Sequence, residues 1–163
     1  MSGSFQKKIE KVKALWWIKR DFRLRDNEAL SRACVECSEI LPFFCWEPGI
    51  LSLSDCSAFH LQAQWQALEG LRKSLDIRKS QVWEDCRDIV FALNLVYQKF
   101  PFTNLYSHQE TGNLATFSRD QKVKGWCKEK GVKWIEVVGS SVLRGGNADV
   151  RRVKLRQFDY RMQ

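Results

Sequence analysis

Short apolar runs alternate along the chain with longer stretches in which apolar residues recur every three or four positions. The first run, Ala14 to Ile18 (Ala-Leu-Trp-Trp-Ile), is continuous, as in a strand covered on both faces. Asp26 and Asn27 stand where a helix cap belongs, ahead of Ala29, Leu30, Ala33 and Cys34 on one helical face. A second run, Ile40 to Trp46, is closed by Pro48-Gly49. Ser57 can cap a long helix whose predicted buried stripe is Leu61, Trp65, Leu68, Leu71 and Leu75. A short third strand is predicted around Gln81 to Trp83. The next helix carries Ile89, Val90, Leu93, Val96, Tyr97 and Phe100, with Pro101 just past its end. Asn104 to Ser107 reads as a fourth strand and Gly112-Asn113 as a loop. A helix from about Thr116 to Lys130 turns Val123, Trp126 and Cys127 inward and stops at Gly131. Lys133 to Val138 completes the series as a fifth strand. Strands and helices in strict alternation imply an α/β fold, a small doubly wound parallel sheet with helices on both faces. Such sheets bind ligands beyond the carboxyl ends of their strands.

With 163 residues, the chain has room for one domain with a real core. No apolar run approaches the roughly 20 residues of a membrane span. Residues 1–12 are polar and lysine-rich, without the apolar centre of a secretory signal, so a cytoplasmic protein is expected. Six cysteines then read as reduced thiols. Cys34 and Cys37 form a CxxC inside a predicted helix with no second pair at metal spacing, and no metal site is expected. The formal charge of +8 favours polyanions in general and names none of them. The tail from residue 145 changes character: Gly145-Gly146-Asn147 precedes the basic stretch Val150 to Arg156, which reads as a linker or docking segment.

The most informative stretch runs from Trp17 to Leu30. A buried strand delivers Lys19, Arg20, Arg23 and Arg25 to the top of the sheet, and a capped helix follows. Helix N–H groups add partial positive charge there, which suits an anionic or polar aromatic ligand. Read alone, the same loop is equally a solvated one, with Asp21 and Asp26 as internal partners. No paired carboxylates, nucleophile–base set, P-loop or G-x-G-x-x-G accompanies it, so no catalytic residue is assigned.

Trp17-Ile18-Lys19-Arg20-Asp21-Phe22-Arg23-Leu24-Arg25-Asp26-Asn27-Glu28-Ala29-Leu30 resembles the W-F-R-R-D-L-R-L-x-D-N-x-A-L signature of cryptochromes and DNA photolyases. His108 to Asn113, Arg119-Asp120 and Trp126-Cys127 are similar to the H-E-E-T-G-N…R-D…W-C stretch of the bacterial branch. Ser140 to Arg144 resembles the segment leading to the interdomain connection. The resemblance implies a Rossmann-like amino-terminal domain over residues 13–144, preceded by an extension (1–12) and followed by a basic interdomain linker (145–163). It also implies an antenna chromophore, a lumazine, deazaflavin or flavin, that passes excitation to FAD in a helical carboxyl-terminal domain absent from this chain. The parent would carry out light-driven repair of damaged DNA, as a deoxyribodipyrimidine photolyase, or blue-light signalling. This chain alone would be inactive.

By motif position, the implied pocket wall is Lys19, Arg20, Asp21, Phe22 and Arg23 after the first strand, joined by Cys45, Trp46 and Glu47 after the second. Phe22 or Trp46 can stack on a ring, Arg20 and Arg23 can pair with ligand anions, and Glu110 can accept from a ring nitrogen. Folate fits least, because Leu114 to Ser118 carries none of the acid that folate-binding members place there. Two alternatives stay open: a chromophore-free module that docks on a flavin-binding partner domain, and a basic nucleic-acid-binding domain carried by Arg151 to Arg156.

Overall fold

β1 (Lys13–Ile18) is the middle strand of the sheet, and both of its faces are covered. Ala14, Trp16 and Ile18 point to one side and Leu15 and Trp17 to the other, the period-2 alternation of an extended chain. Fully burying Leu15 and Ile18 contributes about 1.5–3 kcal/mol each, and burial on both faces fixes the register of the strand. The computed structural model describes residues 12–54 and 56–138. The remaining elements are α1 (Glu28–Glu36), β2 (Glu39–Cys45), α2 (Pro48–Leu51), α3 (Ala58–Asp76), β3 (Trp83–Asp85), α4 (Ile89–Lys99), β4 (Asn104–His108), α5 (Leu114–Lys130) and β5 (Lys133–Val137).

All four strand pairings are parallel, in the order β3-β2-β1-β4-β5. α1 and α3 cover one face through Ala29, Ala33, Leu68, Leu71 and Leu75, which pack on Trp16, Ile18, Phe44 and Tyr106. α4 and α5 cover the other through Leu93, Val96, Val123 and Trp126, against Leu15, Trp17, Phe43 and Leu105. This is the expected doubly wound five-stranded fold. Among the described residues, no helix is long and apolar enough to cross a membrane. Residues 1–11, the Ser140 to Arg144 segment and the basic tail 145–163 lie outside the described residues.

Local chemistry sets the helix ends. Asn27 accepts from the Leu30 N–H and Asn113 from the Thr116 N–H, while Ser57 and His60 form a reciprocal capping box. Of the two cap candidates at α1, Asn27 therefore serves; Asp26 sits at φ 52° and turns the chain instead. Gly131 closes α5 in the left-handed conformation, as its place after Lys130 implied.

Four readings shift. Leu61 is only half-buried and Trp65 is 51% exposed, so the α3 stripe is buried only from Leu68 onward. A 19-residue helix spans about 28 Å whereas the seven-residue β2 spans about 23 Å, and the turns of α3 before Leu68 carry no buried residue. Cys34 faces solvent and Cys37 lies beyond the end of α1, with all six thiols free. β3 begins at Trp83 and takes in Glu84 and Asp85, because Arg72 and Arg87 neutralise those carboxylates at the sheet edge. Pro48 closes β2 but also opens the short α2, whose first turn needs no proline N–H.

Candidate functional site

Neighbouring strands β1 and β4 send the chain to opposite faces of the sheet, α1 to one and α5 to the other. Their two following loops cannot close over one another, and a crevice results. A cavity of about 510 Å³ lies there, lined by Lys19 to Arg23 from the first loop, His108 to Thr111 from the second, and Ala67 of α3.

Both loops are held by their own sequence. The Asn27 side-chain amide donates to the Arg23 carbonyl at 3.0 Å while its oxygen caps α1, so one buried residue sets the loop and starts the helix. Asp21 accepts from both the backbone and the guanidinium of Arg23. Beyond β4, the Gln109 N–H donates to the Val137 carbonyl at 2.7 Å. Gly112 then passes so near Thr116 that an added Cβ would run into that buried side chain. Thr116 is fixed by its bonds to Asn113, so it cannot step aside. Gly112→Ala should therefore displace the loop carrying Glu110 and cost about 1–3 kcal/mol, read as a lower urea midpoint. A substitution that leaves the midpoint unchanged would show that the turn is not tightly set.

An ion network underlies the cavity on the α5 side. Lys19, with only 2% of its side chain exposed, meets Asp120 at 3.2 Å and Glu136 at 3.4 Å. Its ammonium also lies over the Trp17 and Trp134 rings. Burial holds its pKa below the ordinary lysine value, against the pull of Asp120. Arg119 is shared by three carboxylates, Glu47 at 3.1 Å, Glu110 at 2.5 Å and Asp120 at 2.9 Å, and stacks on Trp17 at 5.0 Å. Glu110 is held on its other oxygen by Arg20 at 2.6 Å. Burial acts to raise the Glu110 pKa, but Arg119, Arg20 and Lys19 together bring it below the ordinary carboxylate value. Among the described residues, Glu47 has no second cation. Burial, reinforced by Glu110 and Asp120, outweighs Arg119 and pushes its pKa up to about 7.

The sequence-inferred residues divide accordingly. Lys19, Arg20, Asp21, Phe22, Arg23 and Glu110 come together around the cavity. Their charges are compensated internally: Lys19 by Asp120 and Glu136, Arg20 by Glu110, Arg23 by Asp21 and Asp26. A loop expected to be cationic is therefore close to neutral at the cavity. Cys45, Trp46 and Glu47 do not line it. The Cys45 thiol is buried toward α4, donates to the Arg87 carbonyl at 3.2 Å, and has its pKa pushed up to about 12 by burial and then Glu47. Trp46 packs edge-on against Phe44 and beside Trp65. Glu47 reaches the cavity only through Arg119.

Sequence reasoning placed His108 in a motif but assigned it, with Gln109, Thr111 and Ala67, no role at the site. The side chains of His108, Gln109 and Thr111 make no hydrogen bond among the described residues, and they line the cavity. Burial, opposed by Asp21 and Glu28, lowers the His108 pKa, so near neutral pH its ring offers one donor and one acceptor. The rule that ligands bind at the topological switch point is the signal that could have found them.

Comparison with known proteins agrees with this fold. The DNA photolyase family profile matches residues 14–154. The blue-light photoreceptor PHR2 of Arabidopsis thaliana is 26% identical over 125 residues, covering 74% of this chain and 28% of that protein. The chloroplastic/mitochondrial cryptochrome DASH of Solanum lycopersicum is 30% identical over 119 residues, covering 68% of this chain and 20% of its own length. Among solved structures, the archaeal photolyase from Sulfolobus tokodaii superposes with a TM-score of 0.66 at 24% identity, over 81% of this chain and 30% of that one. The chain thus spans less than a third of the proteins it matches. It belongs to the DNA photolyase family and has the fold of the amino-terminal α/β domain of photolyases and cryptochromes.

Proposed function

We propose that the domain is the light-harvesting unit of a photolyase- or cryptochrome-type flavoprotein, with its antenna chromophore in the cavity between β1 and β4. The observation that carries this reading is the cavity's lining. Its 510 Å³ falls in the ordinary range for small-molecule sites, about 300–1,000 Å³. Phe22 supplies an aromatic wall, His108, Gln109 and Thr111 supply neutral hydrogen-bonding groups, and the ions are already compensated. Such a lining suits a flat heteroaromatic ring with polar edges, as in a flavin, a lumazine or a deazaflavin. The absence of an acid from Leu114 to Ser118 argues against folate. The Sulfolobus tokodaii structure contains two FAD molecules and is described as implying a novel light-harvesting cofactor. When bound, the chromophore would supply absorption of near-ultraviolet or blue light. Lys19, Arg20, Asp21, Phe22, Arg23 and Glu110 would form its site, and Glu47 would act as a positioning residue through Arg119. The bacterial-branch assignment rests on the His108 to Asn113 motif, whereas both curated relatives come from plants.

A second observation favours a partner domain. Phe59 and Leu114 are largely exposed, and Trp65, Phe91 and Phe117 about half exposed. They lie in the amino-terminal halves of α3, α4 and α5, at the same end of the sheet as the cavity. We assign this apolar rim to the helical FAD domain of the parent protein, through which damaged DNA would be met. Titrating the protein with riboflavin, a lumazine and a deazaflavin, with tryptophan quenching as the readout, tests the cavity. At least one should bind, and Phe22→Leu should weaken it several-fold by removing about 0.5–1.5 kcal/mol of ring stacking. No quenching by any of the three at saturation, or quenching indifferent to Phe22, would overturn the assignment.

A further inference from the structure

Cys34 and Cys37 stand at the carboxyl end of α1, at the end of the sheet opposite the cavity, where β2 and β4 begin. Helical backbone continues through Glu36 and so places the Cα of Cys37. Three helical steps put it about 5 Å from the Cys34 Cα, inside the ~4.4–6.8 Å that disulfides span. Cys37 itself has left the helix, at φ −127° and ψ 150°. Its side chain can therefore turn toward Cys34 without distorting a continuing helix. Its backbone is pinned on both sides: the Cys37 N–H donates to the Ala33 carbonyl and the Ser38 N–H to the Val12 carbonyl, each at 2.9 Å.

The two thiols have different surroundings. Cys34 is exposed, whereas Cys37 is half-buried in a polar network with β4. The Cys37 thiol donates to the Tyr106 hydroxyl at 3.6 Å, and the Asn104 amide donates to the Cys37 sulfur at 3.7 Å. Asn104 also donates to the Tyr106 oxygen at 3.3 Å, and Tyr106 donates to Glu36 at 2.7 Å. Burial, and then the bond to Glu36, raises the Tyr106 pKa. The phenol thus keeps its proton for Glu36 and offers its oxygen to the Cys37 thiol. One sulfur is open to solution, and the other is held reduced beside it.

We propose that Cys34 and Cys37 form a reversible dithiol–disulfide site that exchanges with small-molecule disulfides of the glutathione class, with Tyr106 and Asn104 holding its reduced form. The Cys34 thiol releases its proton to solvent, and its sulfur attacks glutathione disulfide, forming a mixed disulfide and expelling one glutathione thiolate. Cys37 then releases its proton, attacks the Cys34 sulfur and expels the second glutathione thiolate. Two protein thiols are oxidised, and one disulfide is reduced to two glutathione thiols that take up the two protons. So short a loop restricts the unfolded chain little, and an exposed disulfide is readily reduced. The bond is therefore a redox-responsive modification and not a structural staple. Closing it withdraws the Cys37 sulfur from Tyr106 and Asn104. The proposal is independent of what the cavity binds.

The test equilibrates the full chain with graded mixtures of glutathione and glutathione disulfide, quenches with acid, and reads the peptide holding Cys34 and Cys37 by mass spectrometry. Wild-type protein should lose two hydrogens from that peptide, and dithiothreitol should restore them. Cys37→Ser should instead accumulate a glutathione adduct on Cys34, since no second thiol is left to displace it. Tyr106→Phe removes the acceptor of the reduced thiol and should lower the glutathione disulfide needed for half-closure several-fold. A wild-type peptide that keeps both thiols in mixtures that already modify the exposed Cys86, or that carries glutathione on Cys34 beside a free Cys37, would overturn the pair. A midpoint that Tyr106→Phe leaves in place or raises would overturn the part given to the network.

Discussion

Replacing Arg119 with alanine is expected to cost about 3 kcal/mol of folding stability, the low end of the range for breaking a buried ion pair. Its guanidinium is 8% exposed and serves Glu47, Glu110 and Asp120 together. Two of these keep a second cation when it is gone: Glu110 retains Arg20 and Asp120 retains Lys19. Among the described residues Glu47 retains none and escapes by taking up a proton, which keeps the loss from reaching the upper end of the range. The stacking of the guanidinium on Trp17 is lost as well. Arg119→Lys should recover little, because one ammonium cannot span three carboxylates in a fixed fork. Urea unfolding of the two variants checks this through the midpoint. A loss below about 1 kcal/mol for the alanine variant would place Arg119 among ordinary surface ion pairs.

Glu47 gives the second large effect, and its sign runs against the usual carboxylate behaviour. In the unfolded chain it titrates near the ordinary carboxylate value of 4.5; folded, it titrates at about 7. Between those values the folded protein holds a proton that the unfolded chain has released, so this group makes stability fall as pH rises from about 4.5 to about 7. Above that window the loss is constant, at ~3 kcal/mol. His108 acts in the opposite direction: its lowered pKa makes stability rise with pH up to about 6.5. The comparison with Glu47→Gln isolates the carboxylate, since glutamine keeps the bond to Arg119 and does not titrate. The stability of the variant relative to wild type should increase by ~3 kcal/mol between pH 4.5 and pH 7.5. A difference that stays flat, or that shrinks with rising pH, would mean that Glu47 is ionised throughout. Glu110, with its lowered pKa, adds the ordinary acid limb, losing stability as pH falls below the carboxylate range.

Much of the fold was legible in the sequence because its signals are local. Ala14 to Ile18 reads as a buried strand from five apolar residues alone, and Asn27, Ser57 and Gly131 mark helix ends by their own chemistry. Trp65 misled because an apolar period shows which face a residue is on but not how far the sheet extends beneath it. β3 was misplaced because Glu84 and Asp85 look like loop residues until Arg72 and Arg87 are seen beside them. The same limit applies at the site. Lys19 to Arg23 and Glu110 announce themselves by motif, but the compensation of Lys19 depends on Asp120 and Glu136, about a hundred residues further along the chain. Alternation along β2 then decided the rest: Phe44 faces the α1 and α3 layer, while Cys45 faces α4.

The central claim, that the cavity between β1 and β4 holds a light-absorbing ring, is tested most directly by the absorption spectrum of protein purified in the dark. Protein that lacks pigment is mixed with the flavin, lumazine and deazaflavin panel, freed of unbound ligand, and measured again before and after heat release. The account predicts a near-ultraviolet or blue band that travels with the protein, leaves with a small molecule on heating, and diminishes in Phe22→Leu. A spectrum that ends at the tryptophan band, both as purified and after the panel, would contradict it. The apolar rim around Trp65 and Phe117 would then be the surface that remains to be explained.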